Sequence, residues 1–553
     1  MAENKFEQRC EHEYCTMGDT NQYEVLTTNL NSNGDFEEHI CRKAKRKNTS
    51  KICVKSLVIF VVLVLVIGCT TMTVLYLQER NNSRDEKDNA HKIEIGSKGE
   101  TSGQNNKTAA CPNEPFKEMN YTAAGKTGIQ GRQFLVCFTV NHPKARYQTR
   151  TIYILSDGDF EFQIISKFST QLLNEVVTPT INMKEISVTS AIAVSYFKIE
   201  EKGLLIEATK DVSVITIDNY IHSSDSTGIL PIKSISNSYV ISSSTIFNAT
   251  IESSQFAISS PENGTTIKIY FRFYPDLPKK IDGVTYRNGS EFILVLNELQ
   301  TYQIWHNVDM SGTLIKASSA VAVFSGSICL KIGFKNSSYS GAYSKLDEQL
   351  PPIDRLDKMY IVPPTYNRKG TFLKIISPFH TRLTYKIGNE QREKLLLPSG
   401  YFEIAFSDKD VVIIDSEKPV LVTSFATGSD YTGDPYMITV PGIRQYTDKY
   451  IVMVPENFKE SYVAIIVEGK SLYNLILNET NIIYYLNDRK FYTTVTFWKM
   501  DFVVLVLPVK GGLLRVESTN NAAFGFIVYG HRNNDGHGFA GKAVLPDVCV
   551  PSN

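Results

Sequence analysis

The chain has 553 residues and carries 58 basic and 58 acidic side chains, so its formal net charge is zero. This length allows roughly two to four domains of ordinary size. A neutral balance provides no overall positive field, so we expect no nucleic-acid partner. Beyond residue 110, Tyr, Phe, Val, Ile, Thr and Ser are abundant and no long amphipathic helical pattern occurs, which predicts an all-β fold there.

Residues 1–56 are polar and lack apolar periodicity, which predicts a disordered cytoplasmic tail. The basic run within 42–55 is expected to bind anionic lipid of the inner leaflet. Two short tyrosine motifs precede it, Tyr14–Met17 and Tyr23–Leu26, with Tyr14, Met17, Tyr23 and Leu26 as their end residues. Trafficking adaptors and SH2 domains read such peptides in extended segments, so both are candidate partners of the tail.

Residues 57–77 form an apolar segment of 21 residues without a charge. About 20 apolar residues are enough to cross a bilayer core of roughly 30 Å. The segment begins too far into the chain for a cleaved signal peptide, so we predict an uncleaved signal-anchor transmembrane helix. Basic residues precede it, and the positive-inside rule then predicts a cytoplasmic N-terminus and an extracellular C-terminus. These features predict a single-pass type II protein of the plasma membrane.

Residues 78–110 are polar and charged, which predicts a stalk. Eight N-glycosylation sequons lie beyond the predicted span and favour an extracellular glycoprotein. They are Asn81, Asn106, Asn120, Asn248, Asn263, Asn288, Asn336 and Asn478. A ninth sequon, Asn48, lies on the predicted cytoplasmic side and is expected to stay unmodified.

Four cysteines follow the predicted span: Cys111, Cys137, Cys329 and Cys549. Four cysteines allow three ways of forming two disulfide bonds. We favour a bond between Cys111 and Cys549, because these two residues flank the predicted β region.

From residue 131 the sequence repeats one order of short apolar segments. Each repeat opens with a strand, contains two neighbouring strands such as Gly203–Glu207 and Val212–Thr216, and closes on a Leu-Pro or Val-Pro step such as Leu230-Pro231. Within an ectodomain of residues 111–553, this order predicts four repeats of antiparallel strands, at about 131–235, 236–356, 357–446 and 447–547. Their length suits a small sandwich or a pair of propeller blades, arranged as a ring or as a string.

The chain from about residue 131 to 549 resembles the N-terminal domain of the IgGFc-binding protein family. The resemblance rests on Val321–Cys329 leading to Leu346–Pro352, Pro419–Phe425 leading to Gly433–Met437, and Phe524–Gly530 with Gly538–Gly541. It implies an extracellular binding or adhesion domain, linked in some members of the family to mucus and immunoglobulin.

One departure from the family pattern concerns a cysteine. The family usually has Cys-Asp-His-Leu where this chain has Tyr-Ser-Lys-Leu at Tyr343–Leu346, so the usual local partner of Cys329 is missing. The resemblance therefore implies either a bond between Cys329 and Cys137 or a buried thiol at Cys329.

The sequence contains no nucleophile elbow, no phosphate-binding loop, no His-Glu-x-x-His and no paired Cys-x-x-Cys. His531, Asp535 and His537 are residue types that bind metals, but the Asn- and Gly-rich sequence between them is more typical of a tight turn. Asp157 and Asp159 flank a glycine and favour a hairpin turn over a calcium site. We therefore expect no catalytic residue, no cofactor and no metal.

These observations favour a cell-surface protein of adhesion or innate-immune recognition, whose β region binds an extracellular protein or glycan through exposed aromatic side chains. Two alternatives remain. The first is a type II membrane enzyme acting on glycans, since Golgi glycosyltransferases share the anchor, stalk and luminal domain. The second is a structural surface protein without a discrete ligand.

Overall fold

The structure is a computed structural model that describes residues 130–140, 149–168, 182–219, 223–243, 250–251, 254–332, 344–368, 370–428, 433–532 and 535–541. Antiparallel sheets dominate these residues, which confirms the predicted all-β fold. Every described residue belongs to one unit of the chain, Thr108–Asn553.

No helix in these ranges is long and apolar enough to cross a membrane. The predicted tail, with its motifs at Tyr14–Met17 and Tyr23–Leu26, lies outside the described residues. So do the predicted span 57–77 and the stalk 78–110.

The strands are grouped here by the four stretches predicted above. The first stretch contains β1 Gly131–Val136, β2 Thr149–Leu155, β3 Phe162–Ser166, β4 Met183–Val188, β5 Leu204–Asn219 and β6 Asp225–Ile229. The second contains β7 Ser236–Val240, β8 Thr250–Ile251, β9 Ser254–Ser259, β10 Thr265–Tyr270, β11 Lys279–Ile281, β12 Val284–Tyr286, β13 Glu291–Leu296, β14 Thr301–His306, β15 Leu314–Lys331 and β16 Ser344–Gln349.

The third stretch contains β17 Asp357–Val362, β18 Thr371–Ser377, β19 Thr381–Ile387, β20 Glu390–Leu396, β21 Gly400–Phe406, β22 Val412–Ala426 and β23 Met437–Thr439. The fourth contains β24 Lys449–Val454, β25 Glu460–Glu468, β26 Leu475–Leu477, β27 Thr480–Asn481, β28 Phe491–Phe497, β29 Met500–Val509, β30 Gly512–Ser518, β31 Phe524–Arg532 and β32 Asp535–Gly541. Short 3₁₀ turns lie at Ser190–Ile192, Ile232–Ser234, Ile353–Arg355, Ile443–Gln445, Gly469–Asn474 and Ile482–Asp488.

One long strand organises each of the first three stretches: β5, β15 and β22. The opening strand and one interior strand of the stretch pair with the first half of the long strand. A second interior strand and the closing strand pair with its second half. These pairs are β1 and β3 then β2 and β6 on β5, β7 and β10 then β9 and β16 on β15, and β17 and β19 then β18 and β23 on β22. In the fourth stretch β30 and β31 divide the same role between them.

The sequence pattern predicts two neighbouring strands where three of the stretches have one. In the first stretch both predicted strands lie in β5, which begins at Leu204. Residues 209–211 in its middle are exposed, while the residues on both sides face buried cores. The backbone therefore passes from one sheet to the next without a break, and the polar residues that look like a connecting turn are the exposed part of a continuous strand.

Three buried tyrosines tie an opening strand to a long strand. Each hydroxyl donates to a carbonyl and accepts a backbone N–H from three residues earlier. The sets are Tyr239 with Val321 and Ser236, Tyr360 with Val420 and Asp357, and Tyr450 with Phe524 and Thr447. The first stretch has Phe134 in the same place on β1, where it contacts the same kind of core without the hydroxyl. The tyrosines fix the register between strands that are far apart in sequence.

Hydrophobic cores lie between successive stretches. Phe324 of the second stretch lies in a core with Ile152 of the first, and Phe425 of the third lies in a core with Ile304 of the second. Third and fourth stretches share a core that contains Ile438 and Ile527, and the fourth shares one with the first that contains Val463 and Ile217. The last stretch therefore packs against the first.

The closing strands, defined as β6, β16, β23 and β32, meet at the centre of this arrangement. Each packs beside the next, and β32 packs beside β6. The Thr227 hydroxyl donates to the carbonyl of Asp347 at 2.7 Å, and the Asp347 N–H donates to the Asp225 carboxylate at 2.9 Å. Polar side chains thus join closing strands that are not hydrogen-bonded as a sheet.

Replacing Tyr360 by Phe is expected to lower the free energy of unfolding of the full-length protein by about 1–3 kcal/mol, because the Asp357 N–H and the Val420 carbonyl lose a buried partner. Tyr484→Phe is the control, since that side chain is 74% exposed. Denaturant unfolding followed by tyrosine fluorescence measures both changes. Equal effects of the two substitutions would contradict the anchoring role of the buried hydroxyl.

Candidate binding surface

The three candidate metal ligands of the sequence, His531, Asp535 and His537, all lie on the β31–β32 hairpin and are buried. Ser224 of the first stretch donates its N–H and its hydroxyl to the two carboxylate oxygens of Asp535, both at 2.8 Å. The Ser226 hydroxyl lies 3.2 Å from Nδ1 of His537, and Nε2 of His531 lies 3.3 Å from the Glu460 carboxylate. Each of the three side chains thus has a different partner, and two of these partners join the fourth stretch to the first.

Across the described ranges, no group of three or more His, Cys, Asp or Glu side chains is arranged to hold a metal ion. The hairpin itself agrees with the turn that the sequence favours, because Arg532 and Asp535 are paired residues at its end. Asp157 lies in a bend between β2 and β3, where its carboxylate is 2.5 Å from the Lys449 ammonium.

Burial changes the pKa of several groups on or next to the closing strands. It lowers the pKa of His537 to about 3, and it also lowers the pKa of His531. Burial, reinforced by the charge of Asp535, raises the pKa of Asp434 to about 8. At neutral pH the two imidazoles are therefore uncharged, and the Asp434 carboxyl holds its proton below about pH 8.

These groups predict a stability maximum near pH 6.5. Below pH 6.5 the unfolded chain binds protons at His531 and His537 that the folded chain does not bind, so stability falls as the pH falls. Asp434 has the opposite effect on stability. Its pKa is about 8 in the folded chain against an ordinary value of 3.8, so between these pH values the folded chain holds one proton that the unfolded chain has released. Above pH 6.5 the two histidines no longer titrate in either state, and deprotonation of Asp434 lowers stability as the pH rises to about 8.

Asp434→Asn is expected to reduce the loss of stability between pH 6.5 and pH 8, because the amide does not titrate. Thermal unfolding of the full-length protein at both pH values measures this. Asp211→Asn, at an exposed carboxylate, is the matched control and should keep the full loss. A loss as large in Asp434→Asn as in Asp211→Asn would contradict the assignment.

Two buried lysines complete the polar interior. The Lys345 ammonium lies 2.5 Å from Asp218 and 3.2 Å from Asp347, and it also donates to the carbonyl of Thr139 at 3.1 Å. The Lys374 ammonium lies 2.5 Å from Asp309 and 3.1 Å from Glu403. Each lysine contacts an aspartate of the preceding stretch. Removing either partner would leave a buried charge uncompensated, so these groups hold stretches together.

The exposed part of the second stretch is different in character. Four apolar side chains near the β11–β12 hairpin are between 44% and 54% exposed: Ile199, Tyr274, Leu277 and Val284. We call them the hairpin surface. Ile293 and Val295 on the neighbouring edge strand β13 are exposed to a similar degree. Large apolar side chains in this number, grouped near one hairpin, are typical of an interaction surface.

An aromatic group lies beside the hairpin surface, made of Tyr196, Phe197 and Trp305. We call it the aromatic seat. The Tyr196 ring centroid lies 5.8 Å from that of Trp305 and 6.3 Å from that of Phe197. The Lys279 ammonium lies 3.6 Å from the Trp305 ring centroid and 4.9 Å from that of Phe197. A cation within about 6 Å of a ring face is attracted by its quadrupole, so the seat holds an ammonium group.

Backbone pairing brings these residues together from two stretches. Tyr196 and Glu200 form bridges with Gln303 and Thr301 of β14, and the Phe197 N–H donates to the carbonyl of Gln303 at 2.9 Å. Phe197 has a φ of 55°, in the left-handed region that aromatic residues rarely adopt. Strained backbone of this kind persists only where the surroundings fix it, and it is frequent at ligand sites.

The β11–β12 hairpin is attached to the rest of the stretch mainly through side chains, since Ile281 of β11 lies in a hydrophobic core and Tyr286 of β12 packs against it. Its two strands form a sheet of their own, separate from the larger sheets. On the segment leading into it, the carbonyl of Leu277 lies 3.0 Å from Nε2 of His306, and Tyr274 forms a bridge with Asp309. The hairpin is therefore held by core side chains and not by backbone pairing with a large sheet.

A second group of exposed side chains lies in the fourth stretch. Its members are Tyr473, Ile483, Tyr484 and Tyr492. The Arg489 guanidinium lies 5.5 Å from the Tyr492 ring centroid. In this second group the cation lies near one described ring, whereas in the aromatic seat the Lys279 ammonium lies near two.

Three of the predicted glycosylation sites fall on described residues. Asn263, Asn288 and Asn478 are all exposed at turns between strands. The side chain of Asn288 also bonds to the backbone of Phe273 through both its oxygen and its nitrogen. The other five sequons, at Asn81, Asn106, Asn120, Asn248 and Asn336, lie outside the described residues.

Cys137 is a buried free thiol, so the pairing of Cys137 with Cys329 is not formed in the structure. Burial raises the pKa of this thiol far above its usual range. Cys111 and Cys549 lie outside the described residues, and their bond stays a prediction.

Sequence reasoning did not identify the aromatic seat. The chain has two tryptophans, and the place of Trp305 in the strand-like segment Thr301–His306 was the available signal. Tyr196 and Phe197 carry no motif, and nothing in the sequence indicates that they pair beside β14.

A comparison with protein families matches residues 225–530 to the IgGFc binding protein family. The chain belongs to the IgGFc-binding family. The match includes Lys279 and Trp305 of the seat but begins after Tyr196 and Phe197. The family assignment predicted from the sequence is confirmed.

Among curated proteins, the human IgGFc-binding protein is similar to this chain at 22% identity over 327 residues. The aligned part is 58% of this chain and 6% of the human protein, so the chain spans a small fraction of that relative.

Two solved bacterial structures also align. One is a Ca²⁺-stabilized adhesin with which an Antarctic bacterium binds ice, at 10% identity over 75% of this chain and 99% of the other, with a TM-score of 0.09. The other is a 1.5-MDa bacterial ice-binding adhesin, at 9% identity over 60% of this chain and 89% of the other, also with a TM-score of 0.09. Similarity this low carries no argument about fold or function.

Proposed function

We propose that this IgGFc-binding family member is a single-pass type II protein of the plasma membrane that binds an extracellular protein through the hairpin surface and the aromatic seat. The role proposed is recognition or adhesion, and not catalysis. The observation that carries the proposal is the grouping of exposed apolar side chains beside a partly exposed tryptophan. Aromatic anchors surrounded by apolar contacts dominate the energy of protein interfaces.

The chemistry of the interior supports this proposal indirectly. The buried lysines and the Asp535 carboxylate have partners that hold stretches together. The hairpin surface, by contrast, consists of large apolar side chains that are about half exposed to water. Their burial by a partner would contribute roughly 25 cal/mol per Å² of apolar area removed from water.

We also propose that the four stretches are equivalent repeats closed into a ring. The same order of strand pairing around β5, β15, β22 and the pair β30–β31 supports it. The shared core of the fourth and first stretches supports the closure. A ring would give the hairpin surface a rigid base, so a partner would not lose affinity by ordering a flexible scaffold.

The membrane topology is supported by the apolar segment 57–77 and by the position of the basic residues before it. On this topology the basic run 42–55 lies on anionic inner-leaflet lipid, and the tyrosine motifs meet adaptors or SH2 domains in the cytosol. Epitope tags at the two ends test it on intact cells. We expect antibody labelling of the C-terminal tag alone, and labelling of the N-terminal tag alone would contradict the topology.

Cells displaying the full-length protein are the direct test of binding. They are incubated with labelled extracellular proteins, immunoglobulins among them, and with glycans. We expect saturable binding of one protein class. In the triple variant Tyr274→Ala, Leu277→Ala and Val284→Ala, the affinity should fall at least about tenfold, because these side chains form the proposed interface.

The matched control removes a similar apolar area elsewhere, with Tyr473→Ala, Ile483→Ala and Tyr484→Ala. This variant should bind like the parent at equal surface expression. Equal loss in both variants, or loss in the control alone, would contradict the placement of the interface. Saturable binding of glycans alone would contradict a protein ligand.

A further inference from the structure

We infer that the aromatic seat is the subsite for a cationic side chain of the protein partner, and that Lys279 fills this subsite in the unbound protein. This inference rests on the proposed function, because it assigns one part of the same surface. The ligand chemistry is a lysine or arginine side chain within an otherwise apolar segment of a protein.

The position of Lys279 shows that the seat accepts a cation. Its ammonium lies over the Trp305 ring at 3.6 Å and within 4.9 Å of the Phe197 ring. Tryptophan has the strongest attraction for cations among the aromatic side chains. The rings are partly exposed, so a cation from outside can reach the position that the ammonium now holds.

Lys279 is held weakly for a half-buried ammonium. Within the described ranges, no carboxylate lies at ion-pair distance from the Lys279 ammonium. The ammonium instead lies against the rings of Trp305 and Phe197. Burial lowers the pKa of its ammonium to about 8, without an opposing effect from an acidic neighbour. A strongly hydrated primary ammonium therefore occupies a site in which the described residues give it no hydrogen bond.

A guanidinium suits this seat better than the resident lysine. It is planar, stacks on aromatic faces and is more weakly hydrated than an ammonium, so it loses less on leaving water. The hairpin surface around the seat supplies apolar contacts for the residues that flank the cation. The chemistry therefore points to a basic residue, arginine above all, between apolar neighbours.

Exchange is possible because Lys279 is the first residue of β11 and its ammonium is carried on a flexible four-carbon stem. Rotation of that stem takes the ammonium into water and leaves the rings in place on β14 and its bridged segment. A cation of the partner can bind only while the seat is empty. The apparent affinity for the partner is therefore proportional to the fraction of molecules in which Lys279 has left the seat.

Trp305 provides the measurement. The chain has two tryptophans, so Trp498→Phe leaves Trp305 as the single fluorescent tryptophan of the full-length protein. Tetramethylammonium chloride and N-acetylarginine amide are titrated against this protein, with sodium chloride as the ionic-strength control. The same titrations are made with Lys279→Ala and with Lys280→Ala, the control at an exposed lysine next in sequence.

We expect a saturable change of Trp305 emission with both probes. The affinity should rise at least about fivefold in Lys279→Ala and stay unchanged in Lys280→Ala, because only the first removes the competing ammonium. No saturable response in a Lys279→Ala protein with an unchanged circular dichroism spectrum would overturn the inference. An equal rise in both lysine variants would overturn it too, since net charge would then explain the effect.

A pH titration of the Trp498→Phe protein is the second measurement. Deprotonation of Lys279 removes its attraction to Trp305, so the emission should change with a midpoint near pH 8, the pKa expected from burial. The transition should be absent from Lys279→Ala and present in Lys280→Ala. Its persistence in Lys279→Ala would overturn the assignment of Lys279 to the seat.

The outcomes separate this inference from the proposed function. Loss of partner binding in the hairpin-surface variant, together with no response of Trp305 to either probe, would overturn the cation subsite and leave the binding surface standing. A probe response without any partner binding to displayed protein would overturn the proposed function alone.

Discussion

The packing of the four closing strands against one another is the constraint on which the rest of the structure depends. β6, β16, β23 and β32 approach closely because small residues face aromatic rings: a Cβ added at Gly538 would lie 2.6 Å from Tyr436. Each polar bond described between these strands involves at least one side chain, as where the N–H and hydroxyl of Ser224, next to β6, donate to the Asp535 carboxylate. Buried polar groups cost free energy unless they are paired, so this centre stabilises one arrangement of the stretches and penalises others.

The surface follows from that centre. Because the first and second stretches share a core, Tyr196 and Phe197 of the first stretch lie along β14 of the second. Their rings and that of Trp305 together form the aromatic seat. The polar interior and the apolar hairpin surface then differ in character. Inside, lysines and carboxylates join stretches, and outside, aromatic and aliphatic side chains stay exposed to water.

The sequence indicates much of the strand content because that information is local. Lys449–Val454 is a short, almost continuously apolar segment, and it forms β24 as expected. The continuous strand β5 was interpreted as two strands, since its exposed middle has the composition of a turn. His531, Asp535 and His537 are recognisable as metal-binding residue types, but the partners of Asp535 and His537, Ser224 and Ser226, lie in the first stretch. The seat was not predictable for the same reason, because pairing between distant segments creates it.

Small-angle X-ray scattering from residues 108–553, secreted and enzymatically deglycosylated, tests the closed arrangement most directly. A compact body of this length has a radius of gyration of about 22 Å, whereas four separate domains in a row would give about 40 Å. The account predicts the smaller value, with a single compact distance distribution. A value near the larger one would contradict the packing of the fourth stretch on the first, and with it the rigid base proposed for the binding surface.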